Sequence, residues 1–502
     1  MRAGDPKTGK PGKPILRLRL FGALLLAAAL AAWVTVHGTA IGGAVDTDAL
    51  IKETAAGQDV ELSRPEVDML YFALPIIGRR YLRPVETTPL LEHTFKALKE
   101  LDETPAAEPT NGAPPARKTR LGRIGSALNA GLRTLDAHTA YLDPEGYGEL
   151  KIRISGKFAG LGLEVTMEDG LIKVVAPIDD TPAQRAGMLA GDKISHVDGT
   201  PVKGMTLREA VGRMRGEVDT TIRLTVLRPE RPDSFELTIV RDIIRIPAVR
   251  HRVEDDYGYI RISAFSERTE TGLRKALRRI EKELGDDAKG LVIDLRNNPG
   301  GLLRQAVRVA DTFLDDGTIV SVRGRLDADN DEYFAKDGAL ATERPLVVLV
   351  NSGTASAAEI VAGALKENGR ATLVGSRSFG KGSVQTILPV GPNAEFGALR
   401  LTTALYYTPS GQTIQAWGVV PNLLIETDGQ EPARREEELN NALTRGEATP
   451  NRSGPLATIT GQRCNDLLEK TLEDEALACA VALLRLGGLE RLADAGDDTR
   501  HQ

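Results

Sequence analysis

From residue 256 onward the chain repeats one local pattern: a short apolar run stops at a turn rich in Gly, Asn or Ser, and the turn opens into an amphipathic stretch. Strands are expected at 258–262, 290–295, 346–350 and 371–374. Helices are expected at 271–284, 302–313 and from 356 to 366, where Gly369 ends the last of them. Alternation of this kind calls for partly parallel strands with crossover helices, so this half is of the α/β class. Upstream the pattern changes to short strands at 163–167, 171–175, 193–197 and 222–227, interrupted by helix-like pieces at 182–186 and 207–214. The expected organisation is a basic N-terminus at 1–45 and a helical region at 46–149, broken by a loop at 103–117 with Pro105, Pro109, Pro114 and Pro115. A strand-rich unit at 150–242 and the α/β core at 243–427 follow. The segment 428–502 is read as an exposed polar linker to 456, followed by an apolar helix around 467–486.

Composition narrows the chemistry. The chain of 502 residues has a formal net charge of −6 and 4% aromatics, which argues against nucleic acid as a partner. Two cysteines and six histidines cannot build a thiolate-rich zinc array, and no H-E-x-x-H occurs, so no metal or other cofactor is expected. Cys464 and Cys479 would lie about 22 Å apart on one continuous helix, beyond any disulfide. If the chain turns near Glu473 and Asp474 they can staple a helical hairpin, and the sequence leaves both arrangements open. At the other end, Arg2, Lys7, Lys10, Lys13, Arg17 and Arg19 precede an apolar stretch at 20–36 without charge. Its 17 residues exceed a usual cleavable signal core and just reach membrane-spanning length. With the positive flank inside, the remainder is expected on the far side of a membrane, anchored or released by cleavage near Ala40 or Ala44.

No histidine lies between residues 252 and 500, so a Ser-His-Asp triad within the core would have to import its base. The stretch from Gly375 to Lys381 fits the first seven positions of a phosphate-binding loop. The eighth is Gly382 rather than Ser or Thr, and an alternating strand follows instead of a helix. Lys381 has a better use. Ser356, in Gly353-Thr354-Ala355-Ser356-Ala357-Ala358-Glu359, sits between a strand and a helix, where nearby N–H groups and the helix dipole can face a developing oxyanion. A lysine whose ammonium is disfavoured by burial can act as its base. Taken singly, Ser356 reads better as a helix N-cap and Lys381 as a solvated turn residue.

Five separated stretches resolve this ambiguity: Gly258-Tyr259-Ile260-Arg261-Ile262, Asp294 to Gly301, Val350 to Leu365, Phe379 to Gln385, and Tyr407-Thr408-Pro409-Ser410-Gly411. With them, residues 120–425 resemble the carboxy-terminal processing (tail-specific) serine peptidases. The resemblance implies a crotonase- or Clp-like ββα core with an inserted PDZ domain and flanking helical segments. It places the nucleophile on Ser356, the lysine base on Lys381 and a lysine-orienting glutamine on Gln385. An oxyanion hole would come from the N–H of Ala357 with that of Gly300 or Gly301. Ala358 and Asn422 depart from the pattern of many relatives, at positions without a catalytic role.

Within the strand-rich unit, Gly160, Leu161, Gly162 and Leu163 are expected to cup a terminal carboxylate, with Leu161, Leu163, Leu207 and Val211 forming an apolar pocket. The partners implied are protein substrates with apolar C-termini, a membrane through the N-terminal helix, an adaptor lipoprotein and further copies of the chain. The implied location is the periplasmic side of a bacterial inner membrane. His138, in the stretch leading into the PDZ-like unit, reads as structural. Two other readings keep parts of the pattern: a noncatalytic or adaptor-activated tail-binding scaffold, and a Ser-Lys hydrolase of small esters or amides.

Overall fold

The strands at 257–262, 290–294, 346–350 and 372–375 bury side chains on both faces, a pattern that only a sheet covered on two sides satisfies. The computed structural model of the protein describes residues 46–103, 120–285, 288–341, 343–426, 434–444 and 454–492. The apolar stretch 20–36 and the expected Pro-rich loop from 104 onward lie outside these residues. Among the described residues no helix is long and apolar enough to cross a membrane.

Four helices come first, α1 (Thr47–Gly57), α2 (Arg64–Arg80), α3 (Thr87–Glu103) and α4 (Arg120–Leu132), then β1 (Ala140–Leu142) and α5 (Pro144–Ser155). The strand-rich unit comprises β2 (Lys157–Gly160), β3 (Leu163–Glu168), β4 (Leu171–Pro177), the one-turn α6 (Pro182–Arg185), β5 (Lys193–Val197), β6 (Thr200–Pro201), α7 (Leu207–Met214), β7 (Thr221–Leu227), β8 (Phe235–Val240) and β9 (Asp242–Arg245). The core begins with β10 (Val249–Glu254), β11 (Tyr257–Ile262), α8 (Thr269–Leu284), β12 (Gly290–Asp294), α9 (Leu303–Asp311), β13 (Thr318–Gly324) and β14 (Asp331–Phe334). It continues through β15 (Leu346–Val350), α10 (Ala357–Glu367), β16 (Thr372–Gly375), β17 (Ser383–Pro389), β18 (Ala398–Tyr407) and β19 (Leu423–Glu426). A C-terminal segment adds β20 (Ala457–Thr460), α11 (Gly461–Asp466) and α12 (Glu475–Leu486).

The main sheet has the order β10-β11-β12-β15-β16-β19-β20, parallel except at β10–β11. Period-2 alternation sends Leu291, Ile293, Leu346, Val348 and Val350 to the face packed with side chains from α8, α9 and α10. Val292, Val347, Leu349 and Val374 point the other way, into a cluster completed by Leu477, Val481 and Leu484 of α12. A second sheet, β1-β18-β13-β14 with β17 beside β18, lies between two cores. Ala404 and Tyr406 of β18 join the α8–α10 cluster, while Leu399 and Leu401 pack against the N-terminal helices around Leu70, Phe95 and Leu128.

The strand-rich unit forms its own sheet, β3-β4-β5-β7-β8, around Ile172, Ile194, Leu224 and Ile239. Its entry and exit strands, β2 and β9, pair antiparallel as a two-stranded ribbon to the rest of the chain.

The C-terminal part departs from expectation in two places. The apolar helix starts at Glu475 rather than near 467, because Asn465 closes a turn on Leu472 through both its side-chain atoms (2.8 and 3.0 Å) and Asp474 caps α12. The turn places the Cα atoms of Cys464 and Cys479 4.8 Å apart, and the two cysteines form a disulfide. The stretch expected to be an exposed linker contains Glu436 and Leu443, both buried. In a chain-entropy treatment, closing a 15-residue loop contributes about 3 kcal/mol. The double variant Cys464→Ser, Cys479→Ser should therefore lose about that much in denaturant titration under oxidising conditions. An unchanged midpoint would show that the staple adds nothing to the packing of α12.

Candidate active site

Adjacent parallel strands end side by side, so the turns after β12 and β15 lie next to one another at the C-terminal edge of the sheet. Polar side chains lace them together. Asn297 N donates to Asn351 Oδ1 and Asn351 Nδ2 to Asn297 Oδ1, both at 2.9 Å, while Thr354 Oγ1 donates to the Leu295 carbonyl at 2.9 Å. Ala355 N reaches the Asn298 carbonyl at 2.9 Å. Ser356 follows with φ 55° and ψ −117°, an uncommon conformation for a residue with a side chain, at the N-terminus of α10. It is buried.

The glycines of the first turn meet this serine. A Cβ on Gly300 would lie 2.9 Å from Ala357 N and from Ser356 Cβ, and one on Gly301 would lie 2.2 Å from the Phe265 carbonyl oxygen. Both have φ values open to glycine, 95° and 141°. Of the three expected oxyanion residues, Gly300 and Ala357 thus lie against Ser356, whereas Gly301 packs on the Phe265 backbone. The Gly300 N–H is already donated to Asn298 Oδ1 at 2.9 Å, whereas no hydrogen bond takes up the N–H of Gly301 or Ala357 among the described residues.

Lys381 lies in the turn between β16 and β17, half-buried. Burial first, and then the Arg400 guanidinium, push its ammonium down to about 8, against the opposing pull of Glu436, Asp136 and Glu359. Gln385 donates through Nε2 to Ser383 Oγ at 2.9 Å and Thr402 Oγ1 at 3.3 Å, and Thr402 Oγ1 donates to Asp136 Oδ1 at 3.2 Å.

The residue that joins the two halves is Glu359, fully buried on α10. Its Oε2 accepts from Ser356 N at 2.7 Å and from Lys381 N at 2.9 Å. Its Oε1 accepts from Ser378 Oγ at 2.6 Å and Gly380 N at 2.7 Å. Burial pushes this carboxyl up to about 7 against the four donors that pull it down. No direct hydrogen bond joins the Ser356 and Lys381 side chains among the described residues. Burial raises the Tyr406 phenol well above its ordinary range. Glu359 was within reach of the sequence, three positions after Ser356 in the spacing of a capping box. Nothing in the sequence singles out Tyr406.

Beside the Asn297–Gly301 turn, buried Asp294 accepts from Tyr259 Oη at 2.7 Å and pairs with Arg296 and Arg261 at 2.7 and 2.8 Å. Arg296 also pairs with Asp474 of the C-terminal segment at 2.7 Å.

A groove of about 420 Å³ lies in the strand-rich unit, lined by Phe158, Gly160, Leu161, Gly162, Leu163, Val165, Val211, Met214 and Arg215. Five of the six residues expected there are present. Leu207, one turn earlier on α7, is not among the lining residues. Phe158, Val165, Met214 and Arg215 were missed, the last with its guanidinium 5.4 Å from the Phe158 ring centroid and its Nε without a hydrogen-bond partner. The groove follows β3, an edge strand that among the described residues pairs only with β4.

An α/β core with a serine at a strained strand-to-helix turn, carrying a separate peptide-groove unit, defines the class of a serine-type peptidase with an appended recognition domain. Comparison with known proteins agrees: the profile of peptidase family S41 matches residues 256–425 and that of the PDZ domain matches residues 159–239. The chain is 53% identical over 304 residues to a carboxy-terminal-processing protease of Bartonella bacilliformis, covering 60% of this chain and 69% of that protein. It is 38% identical over 309 residues to a carboxyl-terminal-processing protease of Synechocystis sp., covering 60% and 70%. Among solved structures, a photosystem II D1 C-terminal processing protease is 29% identical, with a TM-score of 0.40, covering 76% of this chain and 93% of that one. The chain belongs to the carboxy-terminal processing proteases of peptidase family S41.

Glu359→Gln replaces an acceptor-only carboxylate by an amide whose NH₂ must face N–H or O–H donors. A loss of about 3 kcal/mol is expected, with peptidase activity down at least tenfold. Denaturant titration together with peptide cleavage checks this, and a variant as stable and active as the parent would remove Glu359 from the account.

Proposed function

We propose that the chain is an exported serine endopeptidase that selects protein substrates by their free C-termini and cleaves them with a Ser356–Lys381 dyad. The observation that carries this is the single carboxylate oxygen of Glu359, which holds the backbone N–H of both residues while burial lowers the lysine to about 8. Neutral Lys381 takes the proton from the Ser356 hydroxyl as its oxygen attacks the scissile carbonyl. The oxyanion is held by the N–H groups of Ala357 and Gly301, with Gly300 shaping the turn. The lysine returns the proton to the departing amine, then activates a water that releases the acyl-enzyme as a carboxylate. Gln385 orients the lysine.

The substrate tail adds as an antiparallel strand along the free edge of β3. Its carboxylate lies at the N–H groups of Leu161 and Gly162, and its last side chain sits between Leu163, Val211 and Met214. In this reading residues 150–242 are the recognition unit and 243–427 the catalytic one. Residues 1–45 deliver the protein across a bacterial inner membrane, as an anchor or a cleaved signal. Self-association through the helical ends and delivery by an adaptor lipoprotein complete the proposal.

Cleavage of an unstructured reporter ending in Ala-Ala or Asp-Asp, by the chain lacking residues 1–45, tests it. Ser356→Ala and Lys381→Ala should abolish cleavage. In the parent kcat/KM should rise with pH along a limb near 8, because the base works only when neutral. Activity that persists in Lys381→Ala would refute the dyad. Val211→Glu, which puts a charge in the apolar groove, should slow the Ala-Ala reporter about tenfold and erase the preference over Asp-Asp. A preference that survives would relocate tail recognition elsewhere.

A further inference from the structure

Glu436 has no exposed surface, and a carboxylate so placed must be paired. Its Oε1 accepts from Gln415 Nε2 at 2.9 Å and its Oε2 meets His138 Nε2 at 2.7 Å. The other end of the Gln415 amide accepts from Gly382 N at 2.9 Å, the residue after Lys381. The same stretch holds the Lys381 turn from outside. Glu436 N donates to the Phe379 carbonyl at 3.2 Å, and Arg435 Nη1 donates to the carbonyls of Arg377 and Ser378 at 3.0 and 2.9 Å. The turn is thus gripped by Glu359 on one side and by residues 435–436 and Gln415 on the other.

His138 belongs to the segment that runs through β1 and α5 into the PDZ domain. Its N–H donates to Asp136 Oδ1 at 2.7 Å and its carbonyl accepts from Arg400 Nε at 3.1 Å. The segment entering the recognition domain and the stretch that grips the lysine turn therefore meet in a side-chain contact, His138 against Glu436. Neither residue touches the reacting atoms.

We propose that Glu436 and His138 are a positioning pair for Lys381, which holds the lysine turn through Gln415 and joins it to the segment entering the PDZ domain. This rests on Lys381 being the base of the reaction. Shifting His138 leaves one oxygen of a buried carboxylate unpaired, so the positions of segment and turn are energetically tied. The charges facing the lysine are Arg400 on β18, Asp136 on the entry segment, Glu359 on α10 and Glu436. Those facing His138 are Glu436, Asp136 and Arg400. Glu436 favours the ammonium form, so its removal makes the lysine easier to deprotonate.

The test is the pH dependence of cleavage of the Ala-Ala reporter between pH 5.5 and 9.5, with melting temperatures recorded alongside. Glu436→Gln should move the acid limb of kcat/KM down by about half to one pH unit and lower kcat about tenfold with KM unchanged. His138→Gln, which removes the imidazole from outside the lysine turn, should lower kcat similarly, again with KM unchanged. A limb in Glu436→Gln that superimposes on the parent, or an unchanged kcat in His138→Gln, overturns the inference. If Glu436→Gln does not fold, the kcat–KM split of His138→Gln decides it. Lys381→Ala separates the two levels. Residual activity there fells the base assignment, whereas an inert Lys381→Ala beside an unmoved limb fells only the positioning pair.

Discussion

Everything at the candidate site depends on one buried carboxylate. Glu359 stands on the first turn of α10, and its Oε2 takes the backbone N–H of Ser356 from its own helix and that of Lys381 from the turn after β16. Two segments 25 positions apart thereby share one acceptor. The carboxylate fixes the main-chain origins of the serine and the lysine rather than their side chains. The arrangement demands a dry interior, because four donors around a carboxylate exposed to water would exchange with solvent.

That interior exists because the sheet is covered twice. The alternation in β12 and β15 supplies apolar side chains to α8–α10 on one face and to α12 on the other. The second layer comes from beyond residue 425, where the match to the peptidase family stops. It reaches back to the site through Asp474, which pairs with Arg296 immediately before the Asn297–Gly301 turn. A segment that covers the sheet therefore also sets the charge balance next to Asn297–Gly301.

Much of this was legible in the residues. The strands and helices of the core announce themselves by period and by the glycines that end them, and Ser356 and Lys381 stand out because no histidine lies between residues 252 and 500. The groove was readable from the Gly160–Leu163 loop. What escaped has a common physical origin: contacts between distant segments carry no local period. Glu436 sits in a stretch of charges that composition assigns to solvent, and only its pairing with His138 and Gln415 makes burial tolerable. Leu207 lies on the same face of α7 as Val211 by spacing, but the groove ends nearer the C-terminal turn of that helix, at Met214 and Arg215. The cysteine pairing turned on where one helix begins, which Asn465 and Asp474 decide through side-chain bonds to the backbone.

The PDZ domain is attached by β2 and β9, two strands bonded to each other over four residue pairs. Two separate linkers would let a domain swivel, but a ladder resists shear between its rails and bends most easily out of its own plane. The ribbon thus acts as a leaf spring with one soft direction. At its root, Ile246 N bonds the Gly156 carbonyl and Glu267 N the Ile154 carbonyl, so a tilt of the spring is delivered to α5 and to the loop before α8 together. A load on the groove reaches α5 by this ribbon and by the ion pairs of Arg208 on α7 with Glu145 and Glu149.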